Sequence, residues 1–241
     1  MRCLDLSFAE PEKNLACDEV LLDDAEAGQG GETLRFWESP VHFVVLGTSQ
    51  CLKDEAREEA CARDAIPILR RCSAGGCVLQ GPGCLNYTLV LDQEKSPPLR
   101  SIGSSYRYIF ERIVGSAKTL GLDLRHEGTS DLVHADRKVS GNAQRRKRRF
   151  ILHHGTLLFN MDLDLIQQYI VEPSERPAYR GARPHAAFVG NVPASSTALK
   201  DMLRQAFGAV LPIDSLSEEE CARVDLLAEA RYASASWTYR R

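Results

Sequence analysis

The 241-residue chain contains no stretch approaching 18 uninterrupted apolar residues, which excludes a membrane-spanning helix of ordinary length. Its first residues, MRCLDLSFAEPEKN, lack the apolar core of a secretory leader, so a cytoplasmic location is expected. No excess of positive charge is present. A net charge of −3 gives no general ground for expecting nucleic acid or an anionic membrane as partner. There are eight cysteines but no CxxC, and Cys72, Cys77 and Cys84 are spaced by five and seven residues. Zinc knuckles need shorter spacers, and a leaderless chain of this length keeps its thiols reduced, so neither a metal nor a disulfide framework is expected.

What is present is an ordinary globular composition, 44% hydrophobic and 26% charged, without internal repeats. The spacing of Ala16, Cys17, Val20 and Leu21 predicts a helix over 12–26. TLRFWE (33–38) and HFVVLG (42–47) read as paired strands across a Ser39-Pro40 turn. IPILRR (66–71) is a short strand leading into a Gly-rich turn. In LNYTLVLD (85–92), Leu85, Tyr87, Leu89 and Leu91 face one way, with Asn86, Thr88 and Val90 opposite. Tyr106, Ile109, Phe110, Ile113, Ala117 and Leu120 predict a helix stopping near Gly121. DLVHADRKVSG (131–141) predicts a hairpin turning at Ala135-Asp136, FILHHGTLLFN (150–160) a long strand, and Ser217 with Glu220 a capping box. PSERPAYRGARPH (173–185) is the expected mobile loop. The class is therefore α+β or mixed α/β, with antiparallel-looking strand runs and no domain boundary.

Three segments carry chemistry. Arg70, Arg71, Ser73, Gly75 and Gly76 form a basic, Gly-rich turn whose N–H groups can approach anionic oxygens. It matches neither GxxxxGK[ST] nor GxGxxG, and a plain hairpin fits it equally well. Lys138 precedes Ser140-Gly141, read as a second turn, and Arg145 to Arg149 are five consecutive cations. That run reads either as a solvated loop or as a landing site for an acidic partner or a phosphate. His153 and His154 are adjacent on a strand and so face opposite sides, which makes them a poor pair of ligands for one metal.

Taken together, these pieces resemble the lipoate–protein ligase A family, within the biotin/lipoate ligase and octanoyltransferase superfamily. NLACDEVLL resembles the family's N-terminal helix, and LRFWESPVHFVVLGTSQ its first hairpin with a G-x-x-Q turn. RRCSAGGCV stands in the place of RRxSGGGAV, SDLVHADRKVSGNAQ of NDxxxxGKKxSGxA, LHHGTLL of HHGTLL, and LAEARYASASW of L…KY…W. The resemblance covers essentially the whole chain. It implies an α+β fold with a mixed, largely antiparallel sheet flanked by helices, like the catalytic domains of class II aminoacyl-tRNA synthetases and biotin ligases. It also implies activation of lipoate by ATP, with Mg²⁺, to lipoyl-adenylate, and transfer to a lysine of a lipoyl carrier protein. By the same match Lys138 bridges acyl and phosphate oxygens. Arg70, Arg71, Ser73, Gly75, Gly76, Asn86, Asp131, Ser140, Gly141 and His154 belong to the substrate and ATP pocket.

The match has departures. Ala74 replaces a glycine, which requires a negative φ there, and Gln80-Gly81 stands where ligases often have His-Asp. Asn142 replaces a serine, and Cys77 an alanine. Residues 1–241 are expected to be one catalytic domain without the small C-terminal accessory domain of many ligases. A separate small polypeptide is then the expected cap, and the basic run, mobile by self-repulsion, its docking place. The chief alternative is an octanoyl or lipoyl transferase acting through a cysteine thioester. Its nucleophile is expected near the lysine segment or just past the HHG strand, yet no cysteine lies between Gly121 and His185. A biotin ligase fits less well, since its GRGRxGRxW-type loop does not match. A non-catalytic lipoyl-carrier binding protein would leave Lys138 without a role.

Overall fold

The computed structural model describes residues 1–173, 176–209 and 212–241. Chain order begins with strand β1 (Arg2–Asp5), helix α1 (Pro11–Glu26), β2 (Thr33–Trp37) and β3 (Phe43–Leu46). Short helices α2 (Leu52–Glu55) and α3 (Glu58–Arg63) lead to β4 (Ile68–Arg70), β5 (Val78–Gln80) and β6 (Cys84–Asp92). Then come α4 (Ile102–Ala117), β7 (Arg125–Glu127), β8 (Asp131–His134), β9 (Arg137–Arg146) and β10 (Phe150–Leu158). The chain closes with α5 (Asp164–Tyr169), α6 (His185–Phe188), α7 (Ser196–Phe207), α8 (Glu218–Leu227) and α9 (Ala235–Thr238). None of these helices is long and apolar enough to cross a membrane.

Seven strands form the main sheet in the order β1-β2-β6-β10-β9-β8-β7, antiparallel except for the β1–β2 pair. A second sheet has the order β4-β3-β5. The expected hairpin of 33–38 with 42–47 does not form. β2 pairs with β1 and β6, whereas β3 pairs with β4 and β5 in the other sheet. Both segments are buried along their whole length, so each is flanked on two sides and neither is an edge free to pair with the other.

Local rules account for the element ends. Pro11 starts α1, where its missing N–H costs nothing, and the Asn14 amide closes back onto the backbone N–H and C=O of Phe8. Ser101 caps α4, and the chain leaves through Gly121 at φ 68°. The Ser217–Glu220 capping box is present. Ala135 and Asp136, at φ 46° and 62°, make the two-residue turn of the β8–β9 hairpin.

The main sheet is covered on both faces. On one, Leu85, Tyr87, Leu89 and Leu91 of β6 pack against Tyr106, Ile109, Phe110 and Ile113 of α4 and Leu199, Met202 and Leu203 of α7. On the other, Val90, Phe150 and Leu152 meet Leu15, Val20 and Leu22 of α1 and Val45 of the small sheet. β10 divides the two histidines between these faces. His153 enters the aromatic core, 5.7 Å from the Phe110 ring and 5.3 Å from Tyr106, and His154 faces the small sheet. At Gly155 no side chain fits, because a Cβ would lie 1.7 Å from Asn142 Oδ1.

Burial among aromatic rings disfavours the imidazolium of His153 and lowers its pKa from 6.5 to about 3. An unfolded chain takes up that proton near pH 6.5 and the folded one only near pH 3. Stability contributed by this site is therefore lost as pH falls through that window. His153→Phe is expected to remove roughly 3–5 kcal/mol of acid sensitivity between pH 6.5 and 3. Urea midpoints of both proteins across that range are the measurement. Equal acid slopes would refute the assignment.

Candidate functional site

The Gly-rich turn is built by buried cations. Arg70, fully buried, donates from Nε and Nη2 to the Thr238 carbonyl at 2.9 and 2.8 Å. Its Nη1 donates to the carbonyls of Gly47 and Gln50 at 2.8 and 2.7 Å. Trp237 Nε1 donates back to the Arg70 carbonyl at 2.8 Å. Arg70 therefore lines no cavity; it holds the C-terminal segment and the G-x-x-Q turn to β4. Arg71 is also buried and reaches Ser73 Oγ at 3.0 Å and the carbonyls of Ala74 and Gly76 at 2.7 and 2.9 Å. Among the described residues no carboxylate is salt-bridged to either arginine, and burial pulls both pKa values down. Gly75, at φ +93°, turns the chain, and its carbonyl lies 2.1 Å from where a Gly47 Cβ would stand. The two turns thus meet backbone to backbone. Ala74 keeps a negative φ.

Lys138 stands at the start of β9, its ammonium 2.7 Å from Asp131 Oδ1 on β8. Tyr179 O–H donates to Asp131 Oδ2 at 2.7 Å, and Gly190 N–H donates to the Lys138 carbonyl at 2.9 Å. Ser140 and Gly141 lie within β9 rather than in a turn, paired with Leu132 and Asp131. The Gly141 N–H donates to Thr156 Oγ1 on β10 at 3.4 Å. The basic run is likewise anchored, contrary to expectation. Arg145 reaches Glu19, Lys147 reaches Asp23, and Arg149 reaches Asp92 at 2.7 Å. Arg146 is held by Gln93 and the Leu99 carbonyl. A hairpin closing over acidic side chains replaces self-repulsion by pairing.

Two cavities meet at Lys138. An inner pocket of about 100 Å³ lies between α1, β6, β10 and the small sheet, with apolar walls from Leu15, Trp37, Val45 and Val78. An outer cleft of about 740 Å³ is lined by Asp131, Ser140, Glu55, Arg176, Arg180 and His185 among others. Gly76, Cys77, Val78, Lys138, Gly141 and Thr156 line both. Of the residues named from sequence, Arg71, Gly76, Asn86, Lys138, Gly141 and His154 reach the inner pocket, and Asp131 and Ser140 the outer cleft. Arg70, Ser73 and Gly75 line neither; they support the turn from behind. Gly141 leaves the lysine room, since a Cβ there would crowd Lys138 Nζ at 3.3 Å.

Asp18 was not singled out from sequence, although its position on the buried stripe of α1 was a signal, because a buried carboxylate needs a partner. It lies 2.6 Å from Arg35 Nη1, accepts from Thr88 Oγ1 at 2.8 Å, and stands 3.3 Å from His154 Nδ1. His154 Nε2 is 2.6 Å from Ser73 Oγ. Asp18 remains ionised despite burial, chiefly through Arg35, with His154 and Thr88 adding to it. Glu19, its neighbour, is buried with Arg231 and Tyr232, each at 2.7 Å.

Burial raises the thiol pKa of Cys72 and Cys77 to about 12 and pushes that of Cys84 up as well. None is a ready thiolate. Among the described residues no group of three or more His, Cys, Asp or Glu side chains is placed to hold a metal ion.

A mixed sheet flanked by helices, with an apolar pocket and a lysine at its mouth, makes this an α+β domain. The profile described as the lipoyl protein ligase A/B catalytic domain matches residues 10–210, and the chain belongs to that family. It is 29% identical over 275 residues to the octanoyltransferase LipM of Geobacillus kaustophilus, covering 100% of this chain and 98% of that protein. It is 23% identical over 243 residues to lipoate–protein ligase 1 of Staphylococcus aureus, covering 98% and 72% respectively. Among solved structures, a bi-partite lipoate protein ligase studied with its E2 lipoyl domain from Thermoplasma acidophilum superposes with a TM-score of 0.85. That match has 24% identity and covers 99% of this chain and 95% of that one.

Arg70→Lys is expected to lower stability by about 2–4 kcal/mol, because one ammonium cannot serve three carbonyls that a planar fork reaches together. Thermal unfolding and protease sensitivity of the C-terminal segment provide the readout. An unchanged midpoint would mean that Arg70 is not the staple described.

Proposed function

We propose that this chain is a lipoate–protein ligase that activates lipoate with ATP and passes the lipoyl group to a lysine of a lipoyl carrier domain. The observation that carries this reading is Lys138 at the junction of an apolar inner pocket and a wide polar cleft. An acyl chain fits the first and a nucleotide the second, which brings carboxylate and α-phosphate together beside one ammonium. Lipoate carboxylate attacks the α-phosphate, pyrophosphate leaves, and the carrier amine then attacks the acyl carbon and releases AMP. Lys138 neutralises charge that grows on acyl and phosphate oxygens. Arg71, a buried cation without a carboxylate partner, adds a field that favours an anion at the seam. Mg²⁺ would add positive charge beside the nucleotide; Asp131, whose oxygens now take Lys138 and Tyr179, is the carboxylate that would help hold it, with phosphate oxygens supplying the rest.

The second reading is octanoyl transfer between carriers, favoured by the octanoyltransferase relative and by Cys77, which lines both cavities. A thioester route needs a thiolate, and desolvation pushes the pKa of the half-buried Cys77 thiol up to about 12. The ligase reading therefore stands first. Residues 1–241 are proposed to act as one catalytic domain. Following the bi-partite relative, a separate polypeptide is proposed to complete the adenylation step. Assay of adenylation and of transfer separately, with and without proteins from the same cell, tests it; full-rate adenylation by the chain alone would remove the need for one.

Lys138→Ala is expected to lower lipoyl transfer from ATP and lipoate by ~10²–10³-fold, and Lys138→Arg comparably, since a planar fork cannot stand in for a compact charge. Pyrophosphate release and the lipoyl mass shift on apo-carrier report the loss. Cys72→Ser, Cys77→Ser, Cys84→Ser and Cys221→Ser should each stay within about tenfold, reflecting packing changes of roughly 1 kcal/mol. An acyl-thioester trapped on one of them, with ATP ignored, would put the transferase reading in its place.

A further inference from the structure

The inner pocket has a wall whose polar atoms are joined in one line. Arg71 Nε lies 3.0 Å from Ser73 Oγ, Ser73 Oγ lies 2.6 Å from His154 Nε2, and His154 Nδ1 lies 3.3 Å from Asp18 Oδ2. For a neutral ring, donor and acceptor chemistry sets the protons along it. A carboxylate only accepts, so the His154 Nδ1 facing Asp18 carries the hydrogen. A guanidinium only donates, so Ser73 Oγ accepts from Arg71 and turns its own proton to His154 Nε2. The neutral His154 ring is therefore the Nδ1–H tautomer, with both nitrogens occupied.

We infer that Asp18, through His154 and Ser73, is a positioning residue that fixes the Gly-rich turn against the acyl pocket. Two consequences follow for the site. With both nitrogens engaged, His154 offers the pocket only the carbon edge of its ring, which suits an apolar chain. Ser73 in turn holds residues 73–76, and Gly76 lines the seam between pocket and cleft. Ser73 is not a nucleophile despite its histidine and aspartate, because it is 1% exposed and lines neither cavity. Asp18 is itself held from behind by Arg35 and Thr88. The consequence for turnover rests on the reading of the inner pocket as the acyl site; the tautomer does not.

The experiment uses the full chain in two arms. Histidine ¹⁵N–¹H correlation spectra of the free protein should show His154 as the Nδ1–H tautomer. In Asp18→Asn the amide oxygen stays with the Arg35 donor and the NH2 group takes the place of Oδ2 before His154, so the ring should switch to Nε2–H. An Nε2–H ring in the wild type, or an unchanged tautomer in Asp18→Asn, would overturn the chain whatever reaction the protein catalyses. Turnover is followed with ATP plus lipoate and, separately, with an octanoyl-carrier thioester as donor. Whichever donor the wild type uses, Ser73→Ala should cut its rate roughly 10- to 100-fold. It should keep the Nδ1–H tautomer and a near-wild-type melting temperature. Ser73→Ala leaves the buried Asp18–Arg35 pair intact, so it decides the matter even if Asp18→Asn does not fold. Wild-type turnover in Ser73→Ala, or an acyl group trapped on Ser73, would overturn the positioning role. A wild type that consumes only the octanoyl thioester would overturn the ligase reading and leave this inference standing.

Discussion

Arg35 has no contact with solvent, and a guanidinium cannot discard its charge, so the fold must answer it from within. Asp18 does so at 2.6 Å, helped by the Asn14 carbonyl and amide and by the Leu6 carbonyl, while the Trp37 ring lies 5.6 Å beneath the cation. This ion pair joins α1 to β2 under the inner pocket. From it the rest of the pocket wall is aligned, because the same carboxylate takes Thr88 from β6 and His154 from β10. Three strands and a helix are thus registered on one buried anion. Removing either charge leaves the other buried and uncompensated, a change that costs about 3–5 kcal/mol in comparable pairs.

The Gly-rich turn follows the same physical rule with a different solution. Among the described residues no carboxylate is salt-bridged to Arg70 or Arg71; backbone carbonyls, with Ser73 Oγ for Arg71, take their donors. Carbonyl dipoles satisfy hydrogen bonds without cancelling net charge. The turn therefore keeps a positive field while its geometry is locked. The C-terminal segment completes this arrangement, with Trp237 and the Thr238 carbonyl on Arg70, and Arg231 and Tyr232 on Glu19. Its aromatic residues reach back across 167 positions of sequence (Trp237 to Arg70) and 213 (Tyr232 to Glu19).

Much of this was legible where a residue's environment is set by its near neighbours. The apolar stripe of α1, the stop at Gly121, the Ala135-Asp136 turn and the opposite faces of His153 and His154 all depend on local spacing. So did the segments that carry the site. Sheet partners were less accessible: β2 and β3 look like a hairpin, and only burial on all sides sends them to different sheets. The roles of the arginines were hidden for a similar reason. Nothing in RRCSAGGCV states that Arg70 faces the carbonyl of Thr238 while Arg71 reaches the pocket. Asp18 was visible only as an acid out of place.

Lys138 shows most directly why the segment could be found and its register could not. Alternation along a regular strand would put Lys138 and Ser140 on the same face as each other and opposite Val139. In the β8–β9 pair, Leu132 lies across from Ser140 but Val133 lies across from Lys138, so two steps of β9 oppose one of β8 at Val139. Val139 lies in the core cluster that includes α4 residues, while Lys138 and Ser140 line the outer cleft, so the faces are those of alternation and the bulge shifts the register with β8. A bulge adds local twist at the cost of one ladder position. Here that position is recovered from outside the sheet, since Gly190 N–H bonds the Lys138 carbonyl and Val189 bridges to it. A Cβ at Gly190 would stand 2.8 Å from the Arg137 side chain, so only the bare backbone comes this close. The segment that lines the outer cleft is therefore also the one that holds the lysine in place, and the cleft and the charge at its mouth are built as a single unit.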